Sequence, residues 1–318
     1  MESASNIRKA VIALGGNAIT RKGEKDDIHR QFANTRKSLD PIIALLRDGY
    51  SVAVTHGNGP QVGNALLRVE ASMDLAPAVP LGVLVADTEG SMGYMIAQSL
   101  ENRLKKEGID KKVCPVITQV LVDRDDPSIK NPSKFIGQFY TEEDARRMSA
   151  KLGWIIKQDA DRGWRRVVPS PVPLKIVEGD ILSLLIDNGI IIIAAGGGGI
   201  PVYLEDDGSL EGVDAVIDKD LASAVLGTAI GAELLIIVTD IDKVFINFRK
   251  AEQRAIDRAT VSEMEEYAEE GHFPGGSMGP KIRAAIDFLK RGGKKVVITS
   301  IENAFTAVSG STGTVIVP

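Results

Sequence analysis

Six short runs in this chain are apolar or β-branched at nearly every position rather than at every second one. They are Ala10–Leu14, Ser51–Thr55, Val113–Thr118, Ile190–Ala195, Leu234–Thr239 and Val296–Ser300. A strand with one buried face alternates, whereas a strand buried on both faces does not, so these runs predict a parallel sheet covered on each side. Between them the period becomes helical. Met92, Ile96, Leu100 and Leu104 form one stripe, ending at Gly108. Leu221, Ala224, Val225, Thr228 and Ala229 form a second, ending at Gly231, and Met278, Ile282, Ala285 and Leu289 a third, ending at Gly292-Gly293. Glycine just past a periodic run is a helix stop, because it turns left-handed without a Cβ clash. Strands alternating with helices predict an α/β fold with an open, mainly parallel sheet sandwiched between helix layers.

Three of the runs end in glycine clusters, at Gly15-Gly16-Asn17, Gly57-Asn58-Gly59 and Gly196–Gly199. Ligands of such sheets bind outside the carboxyl ends of the strands. Bare backbone N–H groups there suit an anion such as phosphate. Residues 119–170 break the rhythm. Asp123–Pro127 and Asn131-Pro132 are turn chemistry. Gly153–Gln158 and Trp164–Val168, around 159–163, read as a hairpin in a small protruding lid. A second hairpin is predicted at Pro201–Val213, turning through Asp206–Ser209.

Composition narrows the partners. The chain has 318 residues, and about 150 per domain gives two as a soft prior, although an α/β fold of this length can be one unit. A net charge of −5 gives no general attraction for nucleic acid or an anionic membrane. A small anion would need local lysines and backbone dipoles. The single cysteine, Cys114, lies in an apolar run and reads as a buried structural thiol of a reducing compartment. With no basic-then-apolar leader at Met1–Ala4 and no run of about 20 apolar residues, the expectation is a cytoplasmic protein without a membrane span.

The common nucleotide fingerprints are missing. There is no phosphate loop of G-x-x-x-x-G-K-[ST] type, since Pro280 stands where its second glycine belongs. Gly57, Gly59 and Gly63 satisfy only a loose dinucleotide spacing, without a following strand that ends in a ribose-binding acid. Two lysines stand out instead. Lys219 begins the Leu221 stripe and Lys281 the Met278 stripe. A helix N-terminus is already positive and disfavours lysine, unless an anion is shared between the dipole and the ammonium. Either these are ordinary surface lysines near helix ends or they hold such an anion. Asp220 could orient both ammonium groups or be an ordinary first-turn acid. The three histidines form no catalytic set, and no His/Cys cluster has zinc spacing.

The segments GGNA at 15–18, THGNGPQVGN at 55–64, DKDLAS at 218–223, TDIDKVF at 239–245 and GSMGPK at 276–281 together resemble the amino-acid-kinase superfamily. Within it, the full length and the 131–143 segment resemble the carbamate kinase family. The resemblance implies one amino-acid-kinase domain over 1–318. It has an acceptor-side lobe at about 1–215, a nucleotide-side lobe at about 216–318, and the lid at 119–170. Gly15, Gly16 and Asn17, with Gly57, Asn58 and Gly59, would cradle the transferred phosphoryl group and the carbamoyl moiety. Lys219 and Lys281 would contact ATP phosphates, Asp220 would organise them, and Lys134 would reach the carbamate side from the lid. Thr239, Asp240 and Val244 would lie near the nucleoside, with Gly276, Ser277, Met278 and Gly279 close by. Two places depart from the family pattern, Ala86–Gly90 and Gln138.

The implied reaction moves a phosphoryl group reversibly between ATP and carbamate, giving ADP and carbamoyl phosphate. Phosphoryl transfer needs positioning and charge neutralisation, and carbamate is already an anion, so no general base is required. Mg²⁺ would arrive mainly on the nucleotide phosphates. The family suggests a homodimer in arginine or citrulline breakdown. A sister kinase of acetylglutamate, glutamate, aspartate or UMP, and a catalytically silent nucleotide sensor, are the competing readings. The end of the chain at Thr312–Pro318 leaves no room for the C-terminal domain that some sister kinases carry, and the lid insertion also favours carbamate.

Overall fold

The six apolar runs all become neighbouring strands of one eight-stranded sheet. Its order is Arg258–Thr260, Thr314–Val317, Lys295–Ser300, Leu234–Thr239, Lys9–Leu14, Ser51–His56, Ile191–Ile193, Val113–Pro115. The last six run parallel, and the first two run against them at one edge. This computed structural model describes residues 7–16, 19–20, 27–273, 277–308 and 311–318.

Both sheet faces are covered, which is why the runs do not alternate. Val11, Ala53, Ile192, Leu235 and Ile298 point into one core with the helices Lys219–Ala229 and Met278–Lys290. Ile12, Val52, Ile193, Ile236 and Val297 point into the other with the helices Asp40–Arg47 and Leu81–Glu107. The long helix stops where expected, at Gly108 with φ 68°, whose N–H bonds the Leu104 carbonyl. Lys219–Ala229 and Met278–Lys290 pack closely because position 227 is glycine. A Cβ there would lie 2.7 Å from Phe288 Cε2.

Two strands are shorter than their apolar runs. Val113–Thr118 gives only Val113–Pro115, whose last ladder bond runs from the Val116 N–H to the Ile193 carbonyl at 2.9 Å, where the neighbouring strand itself ends. Ile190–Ala195 gives Ile191–Ile193, because Ala195 turns left-handed at φ 50°. Cys114 lies on that short edge strand and is half-buried rather than fully enclosed.

Residues 119–170 contribute to two further sheets. Gln119–Val122 joins Pro173–Ile176 and the hairpin Ile200–Leu204/Leu210–Gly212 in a four-stranded sheet. Lys134–Tyr140, Trp164–Val168 and Ile155–Gln158 form a separate antiparallel sheet. Ile136 and Val168 bury its inner face against Val62, Leu66, Leu81 and Leu84. Among the described residues no helix is long and apolar enough to cross a membrane.

Candidate active site

The first two glycine turns meet. Lys9–Leu14 and Ser51–His56 pair in register to their ends, Leu14 opposite His56, and the Gly57 N–H donates to the Leu14 carbonyl at 3.0 Å. The chain then folds so closely that a Cβ on Gly57 would stand 3.0 Å from Gly16 N and 3.5 Å from Lys219 Cδ. Gly15 is confined from the other side, where a Cβ would lie 2.8 Å from the Val238 carbonyl oxygen. Asn58 precedes the helix Gly59–Ser72, and its Nδ2 donates to Thr88 Oγ1 at 2.8 Å. Asn17 and Gly276 lie outside the described residues.

Lys219 opens its helix directly beneath these turns. Asp218 is the cap, its Oδ1 accepting from the Asp220 N–H at 3.0 Å. A hydroxyl relay ties the helix to the glycine-bearing strand. Ser223 Oγ donates to the Lys219 carbonyl at 2.6 Å, which leaves it to accept from Thr55 Oγ1 at 2.7 Å. Asp220 is buried and binds both lysines. One carboxylate oxygen holds Lys219 Nζ, and the other accepts from Lys281 Nζ at 2.7 Å. Burial alone would push the Asp220 carboxyl up, but the two ammonium groups outweigh it and hold it below the usual range. Burial drives Lys219 the other way, down from its ordinary value, with Lys281 adding to the effect. Neither lysine is a solvated surface cation, since their side chains are only 13% and 11% exposed. Two cations against one anion leave a single positive charge in excess beside a wall of glycine N–H groups. An enclosed cationic cluster of this kind attracts a phosphate strongly. Lys134 reaches the same helix start from the three-stranded sheet, donating to Asp218 Oδ2 at 3.2 Å.

A cavity of about 500 Å³ opens next to Lys281. Asp240, Ser277 and Met278, which the resemblance assigns to the nucleoside side, are among the residues that line it. Gly279 follows in the first turn of the Lys281 helix. Val244 does not line it. Its side chain is fully buried and its N–H donates to Thr314 Oγ1, so the next residue, Phe245, turns outward instead. Thr239 stands at the strand end, with Oγ1 donating to Asp240 at 3.2 Å. Sequence reasoning missed Phe248 and His272 on the cavity wall. Phe248 packs near Phe245, ring centroids 6.2 Å apart. His272 is largely enclosed, its side chain 16% exposed. Its Nδ1 accepts from the Asn247 N–H at 3.4 Å, and its Nε2 bonds Glu270 at 3.0 Å. No periodic pattern marks either residue; Phe248 lies in the loop of the hairpin Val244–Ile246/Arg254–Ile256, and His272 reaches that loop from beyond the helix Val261–Glu269.

The third glycine turn packs on the second. A Cβ at Gly196 would lie 2.4 Å from His56 Nε2, and one at Gly197 2.1 Å from Asn58 Nδ2. Enclosure holds the His56 imidazole neutral, pushed down to about 4, with its Nδ1 3.3 Å from the Gly57 carbonyl. Among the described residues no three His, Cys, Asp or Glu side chains gather as a metal site.

Known proteins resemble the chain along nearly its whole length. Residues 8–300 match the amino acid kinase family. The carbamate kinase of Pyrococcus horikoshii is 46% identical over 312 residues, covering 98% of this chain and 99% of that one. The carbamate kinase-like protein YahI of Escherichia coli is 45% identical, covering 96% and 98%. Among solved structures, the carbamate kinase of Giardia lamblia bound to AMP-PNP superposes with a TM-score of 0.90 at 42% identity, covering 98% and 99%.

Proposed function

Because this chain belongs to the amino acid kinase family, we propose that it moves a phosphoryl group reversibly between ATP and carbamate, making ADP and carbamoyl phosphate. The observation that carries this reading is the buried Lys219–Asp220–Lys281 trio set against Gly16 and Gly57. The relatives named for the same activity support it, and so does the AMP-PNP bound by the Giardia structure.

In the forward direction a carbamate oxygen bonds to the γ-phosphorus as the bond to the β-bridging oxygen breaks. Charge develops on the transferred group and on the leaving ADP, and no proton moves. Lys219 and Lys281 neutralise that charge, held apart and aimed by Asp220, while the amides of Gly15, Gly16 and Gly59 and Asn17 receive the equatorial oxygens, the Gly57 N–H being held by the Leu14 carbonyl. The aromatic cavity takes the nucleoside. Lys134 leaves Asp218 for the carbamoyl phosphate end of the substrate. The ammonium and N–H groups of the site are not metal ligands, so Mg²⁺ would be held by the nucleotide phosphates and would add to the charge neutralisation there. Residues 119–170 act as the lid through their three-stranded sheet, the lobe at about 216–318 serves the nucleotide and the lobe at about 1–215 the acceptor. A homodimer is the assembly this reading carries.

The test is a substrate panel run with purified protein, ATP and Mg²⁺. Ammonium bicarbonate should release ADP with carbamoyl phosphate as co-product. Turnover on acetylglutamate, glutamate, aspartate or UMP, with none on carbamate, contradicts the assignment. Nucleotide binding without any turnover would instead favour a silent sensor.

A further inference from the structure

Glu89 is a buried acid to which the phosphoryl-transfer scheme gives no role. It lies in the helix Leu81–Glu107 and is 4% exposed. Its Oε2 accepts from the Thr118 N–H at 2.9 Å, and its enclosed Oε1 has no hydrogen-bond partner. Thr118 Oγ1 in turn accepts from the Ala195 N–H at 3.0 Å, and Ala195 is the left-handed residue that launches Gly196–Gly199. A Cβ on Gly196 would meet His56 Nε2 and, at 3.2 Å, Glu89 Cγ, so both side chains close on the same glycine. The preceding residue, Thr88, takes the Asn58 side chain. Two consecutive residues of one helix thus hold two of the three glycine turns.

We propose that Glu89 is a positioning residue for the acceptor side. Through Thr118 it sets the third glycine turn against His56 and Asn58, and so fixes the aim of the Asn58 and Gly59 amides. The inference rests on the reading that those amides receive the acceptor.

The geometry needs Glu89 uncharged. Burial outweighs the pull of the Thr118 and Gly196 backbone N–H groups, which favour the charged form, and pushes its carboxyl up to about 8. Glu178 adds to the rise from across the Thr118–Gln119 backbone, where its own carboxylate takes the Gln119 N–H at 2.8 Å and Nε2 at 3.0 Å. His56 faces the cluster in its neutral form, and Lys219, which acts on His56, is held by Asp220. No cation on these elements compensates Glu89, so its ionisation draws water toward the enclosed Oε1 and loosens the packing of the third turn, although the charged oxygen accepts more strongly from Thr118.

Three proteins test this in the direction from carbamoyl phosphate and ADP, which avoids the pH dependence of carbamate itself. In the wild type kcat/KM for carbamoyl phosphate should fall about tenfold from pH 7 to 9, since one unit above its midpoint about a tenth of the acid remains neutral. Glu89→Gln, which keeps an acceptor for Thr118 and cannot ionise, should lack that part of the fall. Glu89→Leu should raise KM for carbamoyl phosphate about tenfold at pH 7 with KM for ADP unchanged, and Glu89→Gln should restore it relative to Glu89→Leu. Independently of turnover, the Asn58 and Gly59 amide resonances should titrate with a midpoint near 8 in the wild type and not in Glu89→Gln. Coincident pH profiles, or amide titrations that persist in Glu89→Gln or are flat in the wild type, overturn the proposal. If no acceptor is turned over, the functional reading fails and the amide titration still decides the role of Glu89.

Discussion

Asp220 holds together charges that would otherwise repel. Removing it leaves Lys219 and Lys281 buried side by side without an anion. Breaking a buried pair from one side costs about 3–5 kcal/mol. Asp220→Ala should therefore lose about that much stability in urea unfolding, and a loss under 1 kcal/mol would contradict the buried-trio account. His56 makes a pH prediction. Its imidazole titrates near 6.5 in an unfolded chain and at about 4 here, so between those values the unfolded chain binds the proton that the folded one refuses. Its contribution is complete above about pH 6.5 and is lost as pH falls toward 4, to a total of roughly 3 kcal/mol. Unfolding free energies followed from pH 7 to 4 should show that loss in the wild type and not in His56→Gln; identical slopes would contradict the burial of a neutral ring. Lys219 and Lys281 were legible in the sequence because lysine at a helix start runs against the dipole. Glu89 was not, since a single acid inside a long helical pattern looks like a solvated one until the fold closes Thr118 and Gly196 over it.

At the scale of elements, the period of the apolar positions carried the main sheet, the long helices and both hairpins. What it could not carry were effects that act across the fold. The left-handed Ala195 ends the strand Ile191–Ile193 and with it the pairing of Val113–Pro115, and the cavity hairpin at 244–256 is too short to show a period. The Gly196–Gly199 cluster is explained by contact. Gly198 has φ 100°, and a Cβ there would lie 2.4 Å from the Ile217 carbonyl oxygen. Gly208, in the exposed hairpin turn, has φ 84° but open space around it. Gly208→Ala should cost about 1 kcal/mol for the backbone alone, whereas Gly198→Ala should cost at least about 2 kcal/mol more. Thermal or denaturant unfolding of the two variants separates them, and equal losses would mean the third turn is not tightly packed.

Across the whole molecule, the three-stranded sheet is tied to the body at several places. Tyr140 donates to Glu70 at 2.6 Å, and Asp214 accepts from both Arg166, at 3.4 Å, and the Leu81 N–H that opens the long helix. Lys134 projects from this sheet onto Asp218, so the sheet and the lysine helix share an ion pair. Lys134→Ala should raise KM for carbamoyl phosphate about tenfold and leave KM for ADP unchanged, as for loss of one charged contact to the acceptor end; steady-state kinetics with each substrate varied would reveal the opposite pattern if the lid served the nucleotide. The central claim is that two buried lysines on one aspartate carry the phosphoryl transfer. Rapid-quench measurement of ATP formed in a single turnover from ADP and carbamoyl phosphate tests it most directly. The wild type should convert its bound substrate, and Lys219→Ala and Lys281→Ala should each be slower by about 10²-fold or more, the loss typical of a transition-state donor. A rate near that of the wild type in either variant would contradict the account.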